Sequence, residues 1–347
     1  MSRILTGVQS TGRPHLGNIL GAIIPAIELA NKRENDSFLF IADLHSLTQV
    51  KDSKELKENT LQVAATWLAC GLNKETTTFY RQSDVPQCAE LAWYLNCHFP
   101  YQRLKLAHSF KDKADRLEDV NSGLFSYPML MAADILLYDA EYVPVGKDQL
   151  QHLEMTKDVA SRMNHKYGEI FTLPESILQK NTQLIPGTDG QKMSKSRNNT
   201  IDIFDTEKNI KKNINRNIIT DNSPLEKPKD PNNATVFKLF KLLASEKKSK
   251  AMEDNLIAGG YGWGHAKKEL FEEIIQKYGP QREKFNHFLN NPNDLRNFLV
   301  LRKCVRIYKP CSSVLILFFN SDLILQFSLT LISLVFELEM LSSFIKL

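Results

Sequence analysis

Four short apolar runs, separated by helical patterns, most constrain how this 347-residue chain can fold. The runs are Ile4–Gln9, Ser37–Asp43, Thr77–Gln82 and Ala140–Val145. Uninterrupted apolar strands that alternate with helices are typical of a parallel sheet covered by helices on both faces. We therefore predict an α/β fold with a doubly wound parallel sheet through about residue 190.

The first of these strands leads into a glycine-containing turn, and a helical pattern follows from Gly17. This order places backbone N–H groups and the positive end of a helix dipole at the top of the sheet, which favours binding of an anion. His15 and Asn18 flank the turn three residues apart, so both can face the same phosphate or ribose. A histidine at a helix start is more commonly a simple cap or a surface residue, and that alternative stays open.

A second polar stretch, Lys192–Ser196, combines two ammonium groups with hydroxyls. Pro186, Gly187 and Gly190 just upstream are expected to give this loop room to move. Mobile cations and hydroxyls suit a polyphosphate whose negative charge grows in a transition state. The alternative is a solvated basic loop, because short motifs also match by chance.

Asp134 lies in an apolar stretch that reads as a helix with Pro128 in its first turn. Tyr127, Met131 and Asp134 share one face of that helix by their spacing. A carboxylate among apolar neighbours needs a partner, which the indole N–H or phenol O–H of a ligand would supply. The spacing alone slightly favours a salt bridge to a lysine or an arginine instead.

Two further places follow strands of the predicted sheet. His45 comes after the second strand, and Gly146–Gln149 comes after the fourth. Ligands of parallel sheets bind beyond the carboxyl ends of the strands, so these residues are candidates for ligand contact. His45 is equally well explained as a structural residue. Asp148 and Gln149 either cap a helix or contact a ribose or an amino-acid ammonium group.

The composition is that of a globular protein from a reducing compartment. Apolar residues make up 42% of the chain and charged residues 24%, and the formal charge of +4 permits a polyanionic partner without demanding one. The five cysteines form no C-x-x-C pair, so we expect neither a zinc site nor a disulfide framework. No signal-peptide pattern opens the chain, and we expect a cytoplasmic protein.

Beyond Thr200 the pattern is helical and rich in lysine. Helices are predicted at Glu207–Arg216, Thr235–Ala244, Lys248–Ile257, His265–Tyr278 and Gln281–Leu289. Such lysines usually line solvated helix faces, and the alternative is contact with nucleic-acid phosphates. From about residue 300 the periodicity lapses, and Ser313–Phe336 is almost wholly apolar. This run is long enough to span a membrane, but Asp322 in its middle makes that costly, and we expect no membrane partner.

Together these motifs resemble the bacterial-type tryptophanyl-tRNA synthetases, a family of class I aminoacyl-tRNA synthetases. Thr6–Gly12 with His15–Asn18 matches the family's form of the class I HIGH signature, and Lys192–Ser196 is an intact KMSKS. Tyr127–Tyr138 resembles the family's amino-acid-binding helix, and Val143–Gln149 its nucleotide-contacting turn. The resemblance runs from residue 1 to about 299. It implies a Rossmann-like catalytic domain at 1–200 and a smaller helical domain at 201–299 that binds the tRNA anticodon.

The resemblance also implies the roles of individual residues. The catalytic residues would be His15, Lys192 and Lys195, which would act on the phosphates and the leaving pyrophosphate. The residues that would hold ATP are Gln9, Ser10, Thr11, Gly17, Asn18, Gly146, Lys147, Asp148, Ile185, Lys192, Met193, Ser194, Lys195 and Ser196. The residues that would bind tryptophan are Asp134, which would accept the indole N–H, with Tyr127, Met131, His45, Val143, Val145 and Gln149. The family works as a homodimer with Mg²⁺, and no metal ligand of the protein itself is expected.

The reaction implied is activation of L-tryptophan by ATP to tryptophanyl-adenylate, followed by transfer to tRNA(Trp). One rival is a tyrosyl-tRNA synthetase, because a phenol O–H could also donate to Asp134. A second is a small-molecule nucleotidyltransferase with a similar His-x-Gly turn. A third is a non-catalytic RNA-binding relative, whose mark would be the loss of His15, Lys192 or Lys195; all three are present.

The apolar tail departs from the family pattern, which continues with a charged helix rich in Ala, Glu and Lys. We hypothesise that residues 300–347 are an out-of-frame reading of the gene, because the composition changes where that helix should begin. In that case adenylate formation survives while charging of the tRNA fails.

Overall fold

The computed structural model describes residues 2–73, 75–107, 120–146, 149–178 and 185–300. Within these limits the chain forms two compact units. Unit 1 contains residues 2–85, 142–150 and 176–300, and unit 2 contains residues 86–141 and 151–175. The predicted apolar tail lies, from residue 301 onward, outside the described residues. None of the described helices is both long and apolar enough to span a membrane.

The structure contains a five-stranded sheet, which forms the centre of unit 1, and its strand order is β3–β2–β1–β4–β5. The strands are β1 (Ser2–Gln9), β2 (Asn35–Ala42), β3 (Thr77–Arg81), β4 (Tyr142–Val145) and β5 (Glu175–Leu178). The β1–β2, β1–β4 and β2–β3 pairings are parallel, which confirms the predicted α/β sheet. The sequence analysis missed β5, because only Ile177 and Leu178 of its four residues are apolar and they form no apolar run.

The helix after the first turn is interrupted as it begins. Helix α1 (Leu16–Asn18) continues through a π-helical turn (Ile19–Ile23) into helix α2 (Ile24–Ala30). Pro25 is the cause, because its ring lacks an N–H and clashes with the carbonyl one turn earlier. The wider π turn relieves that clash. The predicted kink at Pro25 is therefore present as a local change of helix type.

One short helix and one long helix follow β2 in unit 1. Helix α3 (Asp43–Ser46) follows β2 directly, and helix α4 (Ser53–Ala69) starts at Asp52, whose carboxylate accepts the Glu55 N–H at 2.7 Å. One face of α4 is buried, including Trp67 at 0% exposure. That burial fixes α4 against the core.

Unit 2 consists of helices in the described residues. They are α5 (Gln87–His98), α6 (Tyr101–Leu104), α7 (Ser122–Leu136) and α8 (Leu150–Tyr167). The first residue of α8, Leu150, belongs to unit 1. The prediction that Pro128 lies in the first turn of its helix is wrong. Asn121 caps α7 by accepting the Leu124 N–H at 3.1 Å, so the helix begins earlier and Pro128 lies in its interior.

Five helices follow residue 200 in unit 1. They are α9 (Glu207–Asn217), α10 (Thr235–Leu243), α11 (Glu246–Ala258), α12 (Trp263–Asn290) and α13 (Pro292–Val300). The predicted break at Gly279–Pro280 is absent, and α12 runs through it for 28 residues. Tyr278 and Phe285 on either side are buried, and that packing outweighs the hydrogen bond that Pro280 removes.

The core of unit 1 does not stop at residue 200. One cluster of buried side chains extends from Leu16 and Trp67 to Leu239, Leu270 and Phe285. Helices α10 and α12 therefore share a core with α1 and α4. The compact units do not follow the predicted division into a catalytic domain at 1–200 and a helical domain at 201–299, which stays a prediction about function.

Candidate active site

The strand order changes direction between β1 and β4. In open α/β sheets, ligands bind in the crevice beyond the carboxyl ends of the strands at such a point. Gln9 ends β1 and Gly146 follows β4, so the predicted nucleotide residues on these two segments lie at the expected place. Lys147 and Asp148, which the sequence also predicted for ATP, lie outside the described residues.

Ser10 anchors the turn that follows β1. It is fully buried, and its backbone N–H donates to Ser46 Oγ at 2.8 Å. The two hydroxyl oxygens are 3.1 Å apart, and Ser46 Oγ donates to the Ala42 carbonyl at the end of β2. The Ser10 hydroxyl therefore holds the turn against the neighbouring strand, while Gln9 and Thr11 beside it are half-buried.

His15 and Asn18 cap the start of α1 reciprocally. The Asn18 N–H donates to His15 Nδ1 at 3.3 Å, and the His15 N–H donates to Asn18 Oδ1 at 3.2 Å. Because Nδ1 accepts a hydrogen bond, the neutral imidazole carries its proton on Nε2. The cap and the phosphate role, which the sequence left as alternatives, are compatible in this geometry.

His15 is held in its neutral form. Burial, and secondarily the charge of Lys195, lower the pKa of His15 to about 4. An uncharged N–H donor can approach a phosphate oxygen without adding a second formal charge beside the lysines. His15 is thus a hydrogen-bond donor at neutral pH and not a cation.

The lysine loop is organised by Asn199, which the sequence analysis did not single out. Its Oδ1 accepts the Ser194 N–H at 2.8 Å, and its Nδ2 donates to the Lys192 carbonyl at 3.0 Å and to Asp189 Oδ1 at 2.6 Å. Asn199 is buried, with 2% exposure, so these bonds are shielded from water. They fix the backbone that carries both lysines.

The glycines before the loop serve packing. The Gly187 N–H donates to the Gln191 carbonyl at 2.6 Å, and a Cβ on Gly187 would lie 2.3 Å from Asn199 Nδ2. Gly190 adopts a positive φ of 75°, which a tight turn requires. Close approach of the backbone therefore demands glycine at 187, and the expectation that these residues give the loop room to move stays a prediction.

The two motifs meet within unit 1. Lys195 Nζ donates to the Thr11 carbonyl at 3.1 Å, and a Cβ on Gly12 would lie 2.8 Å from that nitrogen. The Gly17 N–H donates to Met193 Sδ at 3.2 Å. Loss of water around Nζ lowers the pKa of Lys195, and the charge of Asp202 opposes that change. A cation and a glycine turn thus converge where an anion would be bound.

The remaining lysine-loop residues have different environments. Lys192 and Ser196 are exposed, and Ser194 is half-buried. Ile185, predicted to lie against an adenine, is buried and accepts the Met193 N–H at 2.9 Å. Lys192, Lys195 and the two serines are therefore placed to reach a ligand from solvent without movement of the core.

Arg13 links the turn to a distant helix. Its Nη1 donates to Asp202 Oδ2 at 2.9 Å, and its guanidinium lies over the Phe285 ring with 5.6 Å to the centroid. Phe285 in turn stacks on Phe204 at 4.1 Å between ring centroids. Burial, the largest effect, raises the pKa of Asp202, and Arg13 opposes it. No sequence pattern indicated this contact.

The residues predicted for tryptophan divide between the two units. Tyr127, Met131 and Asp134 lie on α7 of unit 2. The residues of the set that lie in unit 1 are His45, Val143, Val145 and Gln149. His45, Val143 and Val145 are buried, and the Tyr127 ring meets the His152 ring edge-on at 5.2 Å.

Asp134 is buried, with 2% exposure, and Cys88 on α5 donates its thiol hydrogen to Asp134 Oδ1 over 2.8 Å. The sequence analysis missed Cys88, since 46 residues separate it from Asp134 and no motif joins them.

The family model of the class I tRNA synthetases for tryptophan and tyrosine (W and Y) matches residues 1–279. Tryptophan–tRNA ligase of Fusobacterium nucleatum is 44% identical over 300 residues, which cover 86% of this chain and 91% of that protein. The same enzyme of Xylella fastidiosa is 44% identical over 306 residues, which cover 86% of this chain and 70% of that protein.

A solved structure gives the same result. Tryptophanyl-tRNA synthetase of Campylobacter jejuni, crystallised with ADP and tryptophan, superposes with a TM-score of 0.82 at 44% identity. The match covers 86% of this chain and 92% of the other. The sheet, the two signature motifs and these relatives agree: the chain belongs to the class I tRNA synthetases of the tryptophan and tyrosine group.

Proposed function

We propose that this chain is a tryptophan–tRNA ligase, which activates L-tryptophan with ATP and transfers it to tRNA(Trp). The observation that carries the proposal is the junction of the two motifs, where Lys195 Nζ lies 3.1 Å from the Thr11 carbonyl oxygen. Relatives at 43–44% identity over 86% of the chain are named tryptophan–tRNA ligases, which favours tryptophan over tyrosine.

The first reaction is adenylation. A carboxylate oxygen of tryptophan attacks the α-phosphorus of ATP in line, the bond from that phosphorus to the bridging oxygen breaks, and pyrophosphate leaves with the electron pair. The protein forms no covalent bond, so positioning and charge stabilisation supply the catalysis. A ribose hydroxyl at the end of the tRNA then takes the aminoacyl group and releases AMP.

The residues around the glycine turn stabilise the phosphates. His15 Nε2–H donates to a phosphate oxygen as a neutral group. Lys195 exchanges the Thr11 carbonyl for a phosphate oxygen when ATP enters. Together with Lys192 it neutralises the charge that accumulates on the leaving pyrophosphate.

Mg²⁺ accompanies ATP in this proposal. Among the described residues, no group of three or more His, Cys, Asp or Glu side chains could hold a metal ion. Mg²⁺ is commonly held by substrate phosphates and water with few protein ligands, so the triphosphate would supply most of its coordination.

Asp134 is the residue that reads the indole. An ionised carboxylate accepts hydrogen bonds and donates none, so a buried Asp134 selects a ligand with a matching N–H. Such a site rejects analogues without the donor, by up to roughly 10⁴-fold when the group is fully buried. Tyr127 and Met131, on the same helix as Asp134, complete the proposed tryptophan contacts within unit 2. The contacts of His45, Val143, Val145 and Gln149 with tryptophan stay predictions from the resemblance. We further propose a cytoplasmic homodimer, in keeping with the resemblance.

ATP–pyrophosphate exchange with tryptophan and tyrosine, compared side by side, tests the function. We expect exchange with tryptophan to exceed exchange with tyrosine by at least roughly 10³-fold in kcat/KM. Equal exchange with both amino acids would contradict the assignment, and exchange with tyrosine alone would reverse it.

A second candidate is an adenylate-forming protein that does not charge tRNA. The sequence feature behind it is the change of composition near residue 300, which comes just after the buried Leu295 and Leu299 of α13, whereas the relatives favour the complete reaction. Exchange without formation of tryptophanyl-tRNA on a matched transcript supports this candidate. Full aminoacylation, with the intact mass of the chain measured, excludes it.

A further inference from the structure

The hydrogen bond between Cys88 and Asp134 lies inside unit 2. Cys88 is the second residue of α5 and is 2% exposed, as is Asp134 in the last turns of α7. Their Sγ and Oδ1 atoms are 2.8 Å apart. Neither side chain faces solvent, so water does not compete for this bond.

The two helices are packed against each other along much of their length. The buried residues of α5 are Cys88, Leu91, Ala92 and Leu95, and those of α7 around Asp134 are Ala132, Ala133, Ile135 and Leu136. Small and branched apolar side chains at this contact leave the helices little freedom to shift. The position of the thiol relative to the carboxylate is therefore set by the fold.

A thiol has one hydrogen to donate, and an ionised carboxylate oxygen accepts it with charge assistance. The carboxylate of aspartate otherwise rotates in a broad, roughly two-fold potential about its last torsion. A donor fixed at Oδ1 selects one rotation of that group. The lone pairs of the carboxylate then have a defined direction before any ligand arrives.

We propose that Cys88 is a positioning residue for tryptophan recognition, which orients the Asp134 carboxylate toward the indole N–H. This inference rests on the proposed function, because it assumes that Asp134 reads the indole. Cys88 itself need not touch the substrate. Its effect is on the discrimination between ligands that carry the N–H and ligands that lack it.

Three variants separate the hydrogen bond from packing. Cys88→Ser keeps a donor, Cys88→Val fills the space without a donor, and Cys88→Ala removes both donor and volume. We expect the KM for tryptophan in pyrophosphate exchange to rise roughly 10-fold in the Val and Ala variants and less than about 3-fold in the Ser variant. The kcat and the KM for ATP should remain within about 2-fold in all three.

The readout specific to the proposal uses β-(3-benzothienyl)alanine, in which sulfur replaces the indole N–H. The wild type should bind tryptophan much more tightly than this analogue. In Cys88→Val, the inhibition constant of the analogue divided by the KM for tryptophan should fall roughly 10-fold. A purely structural role weakens both ligands equally, and an unchanged ratio in Cys88→Val would overturn the inference. If the wild type gives no tryptophan-dependent exchange, the proposed function fails instead.

Discussion

The sulfur of Met193 accepts the backbone N–H of Gly17 at 3.2 Å, across a sequence separation of 176 residues. Met193 is buried in the core, while its neighbours Lys192 and Lys195 are exposed. Adding a Cβ to Gly17 would place it 3.2 Å from Met193 Cβ, so the two backbones meet closely. Met193 thus sets the distance between the glycine turn and the lysine loop.

Met193→Leu keeps the apolar volume and removes the acceptor. We expect the KM for ATP to rise roughly 3- to 10-fold, because the lost hydrogen bond is weak but fixes the position of the lysine loop relative to the glycine turn. Thermal unfolding should change little, since the substitution conserves volume. Met163→Leu, at a fully buried methionine on α8, is the matched control and should leave the KM for ATP as in the wild type. An equal effect of both variants would indicate general packing.

Lys195→Ala removes the cation that lies over the turn. We expect kcat for pyrophosphate exchange to fall roughly 10²-fold or more, because the charge acts mainly on the developing pyrophosphate. The KM for tryptophan should change less than about 3-fold. Lys212→Ala, an exposed lysine on α9, is the control. A wild-type rate in the Lys195 variant is incompatible with the role assigned to this residue.

The pKa of His15 is a direct check on the burial of the turn. Proton NMR should show a histidine ring signal that titrates near pH 4, and this signal should be absent from the spectrum of His15→Gln. In Lys195→Ala that pKa should rise, because the nearby positive charge is gone. Between about pH 6.5 and 4 the unfolded chain binds this proton and the folded chain does not, so His15 makes the fold less stable as the pH falls. A titration at the ordinary histidine pKa would show that the turn is open to water.

Gly187→Ala tests the close approach of the lysine loop to Asn199. A Cβ there would lie 2.7 Å from the Asn199 carbonyl oxygen, and we expect a loss of about 1–3 kcal/mol in the free energy of unfolding, together with reduced kcat. Gly279→Ala is the control, because no atom lies within 4 Å of its added Cβ in the interior of α12. It should stabilise the protein by about 0.5–1 kcal/mol in urea unfolding. Two equal losses would refute the steric argument.

The features that could be predicted from the sequence are those marked by a local pattern of residue types. The apolar runs marked β1 to β4, and the lysine loop and the turn after β1 were recognised from residue type and order. The strand register then placed Gln9 opposite Ala42, so that β1 and β2 end together and Ser10 reaches Ser46. These features follow from pleat, periodicity and helix dipole, which act over a few residues.

Other features depend on contacts that no local pattern encodes. Asn199 looked like one polar residue among several, and its function in the loop follows only from its burial beside Gly187. Pro280 was predicted to end a helix, but packing of Tyr278 and Phe285 on one face keeps α12 continuous. The bond between Cys88 and Asp134 likewise requires two helices to meet. Each case is decided by tertiary packing over local propensity.

Arg13 has one consequence for how such a chain can vary. Its guanidinium contacts the carboxylate of Asp202 on one side and the ring of Phe285 on the other, while its backbone belongs to the turn after β1. A replacement of Phe285 on α12 would therefore remove the support of the Arg13 side chain and disturb the turn after β1. Sequence change in α12 is consequently restricted to substitutions that leave this aromatic ring in place.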